Sequence, residues 1–122
     1  MLRYTYDTGM LIKLLDRHDV RARLIHARAL EGSATVPTVC WTEYFRGQWV
    51  DPRFLDSVIF EPLSRAVAEV AGRALSAVPT VQLADAVVMA SAALRGDVVV
   101  TSDLPDLTRL ASHFRGVRLL RI

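Results

Sequence analysis

Asp85 is the residue whose surroundings most call for a partner. It lies in "QLADAVVMASAALRG", and its neighbours one helical turn away are Val81, Gln82, Val88 and Met89, so its own helix supplies no cation. An ionised carboxylate in apolar surroundings is costly unless it is paired, and otherwise it takes up a proton. Two compensators are open: an arginine from elsewhere in the chain, or a cation shared with other acids. Asp7 follows "LRYTY", Glu43 comes just after "ATVPTVCW", and Asp103 follows "DVVVTS", so each sits past a strand-like run. The only lysine, Lys13, is remote in sequence from all but Asp7. Clustered carboxylates repel one another, and a hard divalent ion such as Mg²⁺ or Mn²⁺ relieves that repulsion through oxygen ligands. Such an ion keeps several waters, bridges to a phosphate, activates an attacking water and stabilises the leaving oxygen. The chemistry this points to is phosphodiester hydrolysis.

Each acid also has an ordinary structural role open to it. Asp7 in "YDTG" suits a turn. Glu43 could pair with Arg46 three residues on. Asp103 and Asp106 stand where an N-cap and an N3 acid would precede a helix, with Pro105 in its first turn. Thr101 and Ser102 fit the polar end of a strand, although their hydroxyls could orient a carboxylate or a metal-bound water. Trp41, Tyr44, Phe45 and Trp49 read as core or interface residues. His18 and His26 read as surface helix positions, and with His113 they show no zinc-ligand spacing. Cys40 is alone, which excludes an internal disulfide, a zinc knuckle and a CxxC redox pair. The loops GxxxxGK[ST] and GxGxxG are absent, which argues against nucleotide binding.

The elements that must position these residues follow from hydrophobic period and caps. "LRYTY" reads as a strand and "TGMLIKLLDRH" as a helix. "DVRARLIHARALEG" reads as a helix capped by Asp19, with Val20, Leu24 and Ile25 on its inner face and Gly32 at its end. "ATVPTVCW" reads as a strand, with Pro37 near its start or on an edge. "TEYFRGQ" and "PRFLD" are short helical pieces, and "SVIFEPL" is a short strand. "SRAVAEVAGRALSAV" and "QLADAVVMASAALRG" are helices, the second stopped by Gly96. "DVVVTS" is a strand, "LPDLTRLASHF" a helix and "VRLLRI" a last strand. Alternating strands and helices predict an α/β domain whose mainly parallel sheet of about five strands is covered on both faces. In that architecture the loops at the carboxyl ends of the strands carry function, which is where Asp7, Glu43 and Asp103 fall.

The bulk properties fit one such domain over residues 1–122. An apolar fraction of 52% gives a generous core, and the most apolar stretch, "ADAVVMASAAL", is about half the ~20 residues of a membrane span. "MLRYTYD" reaches a carboxylate within seven residues, unlike a secretory leader, so a cytoplasmic protein without membrane association is expected. The net charge of +2 is small, but all but one of the 15 basic residues are arginine, which suits phosphate contacts.

Taken together, "YDTGMLIKLL", "VPTVCWTEYFRG", "ADAVVMASAALRG" and "VVVTSDLPDLTRLA" resemble the PIN domain, in its small single-domain prokaryotic form that includes VapC-type toxins. The resemblance covers the whole chain with its motifs in order. It implies a Rossmann-like three-layer α/β/α sandwich and a Mg²⁺- or Mn²⁺-dependent ribonuclease. The acidic quartet of that family falls on Asp7, Glu43, Asp85 and Asp103, its auxiliary acid on Asp106 and its accompanying hydroxyl on Thr101. Family members commonly form homodimers, and many are neutralised by a small antitoxin. The expectation is an endoribonuclease in which Asp7, Asp85 and Asp103 anchor the metal and Glu43 completes the site directly or through water. The competing expectation is a non-catalytic interaction module whose acidic pocket binds a partner's arginine or a structural metal.

Overall fold

The computed structural model describes residues 1–122. Five strands, β1 (Arg3–Tyr6), β2 (Ser33–Pro37), β3 (Ile59–Glu61), β4 (Val98–Thr101) and β5 (Arg118–Arg121), form one sheet in the order β3-β2-β1-β4-β5. Every pairing is parallel, with Tyr6 opposite Val100 and Thr5 opposite Thr35 and Val99. Seven α-helices connect them: α1 (Thr8–Leu11), which continues into a π-helical run over Ile12–Asp16, α2 (Val20–Ala29), α3 (Thr38–Tyr44), α4 (Pro52–Ser57), α5 (Arg65–Ala77), α6 (Leu83–Arg95) and α7 (Leu104–Ala111).

Strand alternation divides the core in two. Tyr4, Tyr6, Val98 and Val100 face a cluster with Met10, Leu11, Leu14 and Phe54. Val99, between two of them, faces the opposite cluster, built from α5, α6 and α7 through Val67, Ala71, Val87, Leu107 and Leu110. The sheet is thus covered on both faces, as an all-parallel sheet requires, and the three-layer sandwich expected from the sequence is the observed architecture. No helix is long and apolar enough to cross a membrane.

Three local expectations are corrected. The strand expected over "ATVPTVCW" ends at Pro37, and Thr38–Tyr44 is helical. Proline brings no N–H to the ladder, and in helical form Cys40 and Val39 pack into the core beside α6. In α2, Asp19 caps as expected, accepting from the Ala22 N–H at 2.9 Å, but Val20 and Leu24 are 70% and 67% exposed. The face turned inward is Ala22 and Ala29, whose small side chains let the helix approach the sheet closely, with Ile25 half-buried against the same cluster as expected. His26 lies on that inner side rather than on the surface. It bonds the Tyr6 hydroxyl at 2.9 Å and meets Ser57 at 3.3 Å, and burial lowers its pKa.

A polar network at the far end of α6 fixes that helix to the sheet. Arg95, in its last turn, bonds Glu61 of β3, Asp97 at 2.9 Å and the Thr5 hydroxyl of β1 at 2.8 Å. Thr5 in turn donates to Asp97 at 2.9 Å, and Ser91 donates to Glu61. Gly96 then ends the helix in the left-handed region at φ 76°, a conformation open to glycine at little cost.

Candidate active site

The chain builds the sheet outward from β1 in both directions, through β2 and β3 on one side and β4 and β5 on the other. The carboxyl ends of β1 and β4 therefore flank a switch in strand order, where helices depart to opposite faces and leave a crevice. Asp7 is the first residue beyond β1, and its N–H extends the pairing by donating to the Val100 carbonyl at 3.2 Å.

The Asp7 carboxylate is 5% exposed and held at both oxygens. Its Oδ1 accepts from the Met10 N–H at 2.8 Å, capping α1, and its Oδ2 accepts from the Thr101 hydroxyl at 2.5 Å. Thr101 also accepts from the Asp103 N–H at 2.8 Å. One buried hydroxyl thus ties together the ends of β1 and β4 and the two acids there. Glu43, in the last turn of α3, accepts from the Thr8 hydroxyl at 2.6 Å. Asp85 projects from the first turn of α6. Asp7, Glu43, Asp85, Asp103 and Asp106 all line one cavity of about 310 Å³, together with Thr8, Gly9, Cys40, Gln82 and Ser102.

None of the chain's ion pairs includes Asp7, Glu43, Asp85 or Asp103. Of the two compensators open to Asp85, an arginine from elsewhere is therefore not the one in place. The uncompensated charge is visible in the acidities. Burial, with repulsion from Asp103, pushes Asp7 up to about 6 against the opposing bonds from Thr101 and Met10. Burial also raises Asp85 to about 6, reinforced by Asp106, Asp103, Asp7 and Glu43. Asp103 is raised chiefly by its hydrogen bond with Asp106. Cys40, buried beneath the acids, is pushed up to about 12.

Two of the ordinary roles are not taken. Asp103 stands at the N-cap position of α7, yet its side chain caps nothing. Arg46 reaches the Glu43 carbonyl at 3.4 Å, not its carboxylate. Asp7 does cap a helix, and Asp106 pairs with Arg109. Asp106, expected only as an auxiliary acid, is the carboxylate whose charge weighs most on Asp85. Thr8 and Cys40 were not singled out from the sequence as parts of the site. Cys40 precedes Glu43 by one helical turn, a signal hidden when that segment is read as a strand.

The donor set is hard oxygen throughout, as Mg²⁺ or Mn²⁺ prefers. No group of three His, Cys, Asp or Glu side chains lies close enough to hold an ion outright. Mg²⁺ ordinarily takes one or two protein carboxylates and keeps its other positions for water, so a cavity walled by five carboxylates fits the hydrated ion.

No protein-family model matches this chain, and no curated protein does. Solved structures do. A chain in the crystal structure of VapBC2 from Rickettsia felis bound to promoter DNA superposes with a TM-score of 0.80 at 11% identity, over 99% of both chains. DNA-bound VapBC from Salmonella typhimurium gives 0.77 at 18%, over 99% of this chain and 98% of the other. FitAcB from Neisseria gonorrhoeae gives 0.69 at 17%, over 97% and 96%. At these identities the common property is the fold, and it is the PIN-like sandwich that the sequence motifs imply.

Proposed function

We propose that this protein is a divalent-metal-dependent endoribonuclease that acts as the toxin of a toxin–antitoxin pair. The observation that carries the reading is the convergence of Asp7, Glu43, Asp85 and Asp103 on one cavity at the strand switch, with no basic side chain paired to any of them. Bound Mg²⁺ or Mn²⁺ would supply an activated water and charge neutralisation at a phosphodiester. Asp7, Asp85 and Asp103 are the residues that would hold the cation. Glu43, anchored by Thr8, completes the acidic wall. Thr101 fixes the Asp7 carboxylate by donating to its Oδ2. Arginines beyond the acid ring steer the RNA backbone.

The toxin assignment draws on the folds it resembles, which come from VapBC and FitAB assemblies. It also draws on apolar surface left uncovered in this chain. Leu30, Trp49 and Val50 line a second cavity of about 850 Å³ between α2 and α4, and Val20 and Leu24 of α2 are exposed as well. Apolar surface of this kind suits a partner chain. A cytoplasmic homodimer belongs to the same reading, and light scattering on the purified protein tests its dimeric part.

The decisive experiment is RNA cleavage by purified protein with Mg²⁺ or Mn²⁺ and with EDTA. Wild-type protein cleaves only with metal, and Asp7→Asn, which keeps the shape of the side chain, loses cleavage. Equal cleavage by the variant refutes the assignment. Mn²⁺ binding without any cleavage of RNA selects the interaction-module reading instead, in which the uncompensated pocket receives a partner's arginine or a structural metal.

A further inference from the structure

Gly9 occupies α1, where glycine is a poor helix residue, and the reason lies across the crevice. A Cβ on Gly9 would sit 1.9 Å from the Ser102 Oγ and 3.3 Å from the Asp7 Oδ1. The Ser102 Cβ lies 3.1 Å from the same position, so the missing side chain leaves the space that the Ser102 side chain packs into, with Asp7 close by. Ser102 lines the acidic cavity. Its neighbour Thr101 spends its own hydroxyl on Asp7 and the Asp103 N–H, whereas the Ser102 hydroxyl makes no hydrogen bond within the chain and is left to the cavity.

We propose that Gly9 and Ser102 are an interlocked pair that places a hydroxyl at the lip of the acid cavity, where it holds a water of the hydrated divalent cation beside Asp7. Ser102 is thus a positioning residue, and the inference rests on the metal site proposed above. The chemistry suits the task. A serine hydroxyl can accept from one partner and donate to another, so it can link a metal-bound water to a carboxylate without adding charge to a site already crowded with negative charge. Ser102 and Asp7 line the same cavity, and an unbonded hydroxyl there is open to a water of the hydrated ion.

The interlock makes an unusual prediction for Gly9→Ala. The closest clash is with the end of a small side chain, which rotation of Ser102 relieves; the Ser102 Cβ at 3.1 Å must then give by only a few tenths of an ångström, and alanine's preference for the helix offsets that cost. The substitution therefore leaves folding intact while evicting the hydroxyl. Ser102→Ala removes the same hydroxyl directly, and once it is gone the Cβ added at position 9 has no hydroxyl left to displace and meets only the Cβ at position 102.

The test is calorimetric titration of Mn²⁺ alone into wild type, Ser102→Ala, Gly9→Ala and the double variant, with melting in EDTA as the control for folding. Removing an outer partner of a metal site typically lowers affinity by 10-fold or more. Each single variant is expected to weaken Mn²⁺ binding about tenfold, the double variant no more than either single, and every variant to keep a cooperative melt in EDTA. Wild-type affinity in Ser102→Ala, or multiplying losses in the double variant, overturns the inference while wild-type Mn²⁺ binding and RNA cleavage leave the proposed function standing. Absence of Mn²⁺ binding by wild type overturns both.

Discussion

Asp7 carries three demands that conflict. It caps α1, accepts the Thr101 hydroxyl, and holds a charge where water scarcely reaches. The first two favour ionisation, yet burial wins and its pKa stands near 6, above the value of an unfolded aspartate. A folded-state pKa that is raised means stability that is full below the unfolded pKa, near 4, and is lost as pH rises through about 6. At about 1.4 kcal/mol per unit, the Asp7 contribution is of the order of 3 kcal/mol. Without metal the protein should melt at a lower temperature at pH 7.5 than at pH 5, and Asp7→Asn should flatten that difference, both read by melting curves in EDTA. Asp7→Ala should fall below Asp7→Asn by about 1 kcal/mol, because alanine also removes the helix cap. The cation competes with the same protons, so Mn²⁺ affinity should rise as pH increases through about 6. A flat affinity between pH 5 and 7.5 would place the ion away from Asp7 and Asp85.

At the scale of elements, α6 decides where Asp85 stands. Its middle is a run of buried small and apolar residues from Ala86 to Ala92 that could slide along the sheet, and the polar network at its end prevents this. Arg95 bridges β3, the start of β4 and β1. Asp97, fully buried, has an Oδ1 with no hydrogen-bond partner and only Arg3 at 3.6 Å. Removing one member of a buried ion pair costs about 3–5 kcal/mol, because the charges left behind are unpaired. Arg95→Ala should lose about that much in urea unfolding, and adding Asp97→Asn should recover part of it. A loss below 1 kcal/mol would mean that apolar packing alone holds α6. The helices α5 and α6 were legible because one has an amphipathic period with Ser64 as cap and the other an Ala-rich run closed by Gly96. The start of α3 was not, since Thr38 and Val39 carry the β-branched signature of a strand. The inner face of α2 misled in the opposite way, because close approach to the sheet selects Ala22 and Ala29 over the larger Val20 and Leu24.

At the scale of the whole molecule, apolar residues are left exposed outside the acid cavity: Trp49, 79% exposed, at the second cavity, and Val20 and Leu24 on α2. A partner seated there would be felt by surface substitutions that leave the metal site untouched. Leu24→Asp and Trp49→Ala should therefore reduce co-purification with a co-expressed partner while leaving Mn²⁺ affinity unchanged, and full retention of the complex by both variants would locate the partner elsewhere. The sequence by itself determined the order of strands and helices, the α/β class and the identity of the acids, because hydrophobic period, caps and strand-end positions are local properties. Only the tertiary structure decided that five carboxylates share one cavity, that no arginine answers Asp85, that Asp106 weighs on it more than its neighbours, and that Gly9 is glycine to make room for Ser102. Those facts depend on distances between residues as far apart in sequence as Gly9 and Ser102. Packing of α1, α3, α6 and α7 around the ends of β1 and β4 sets those distances, and no local pattern encodes them.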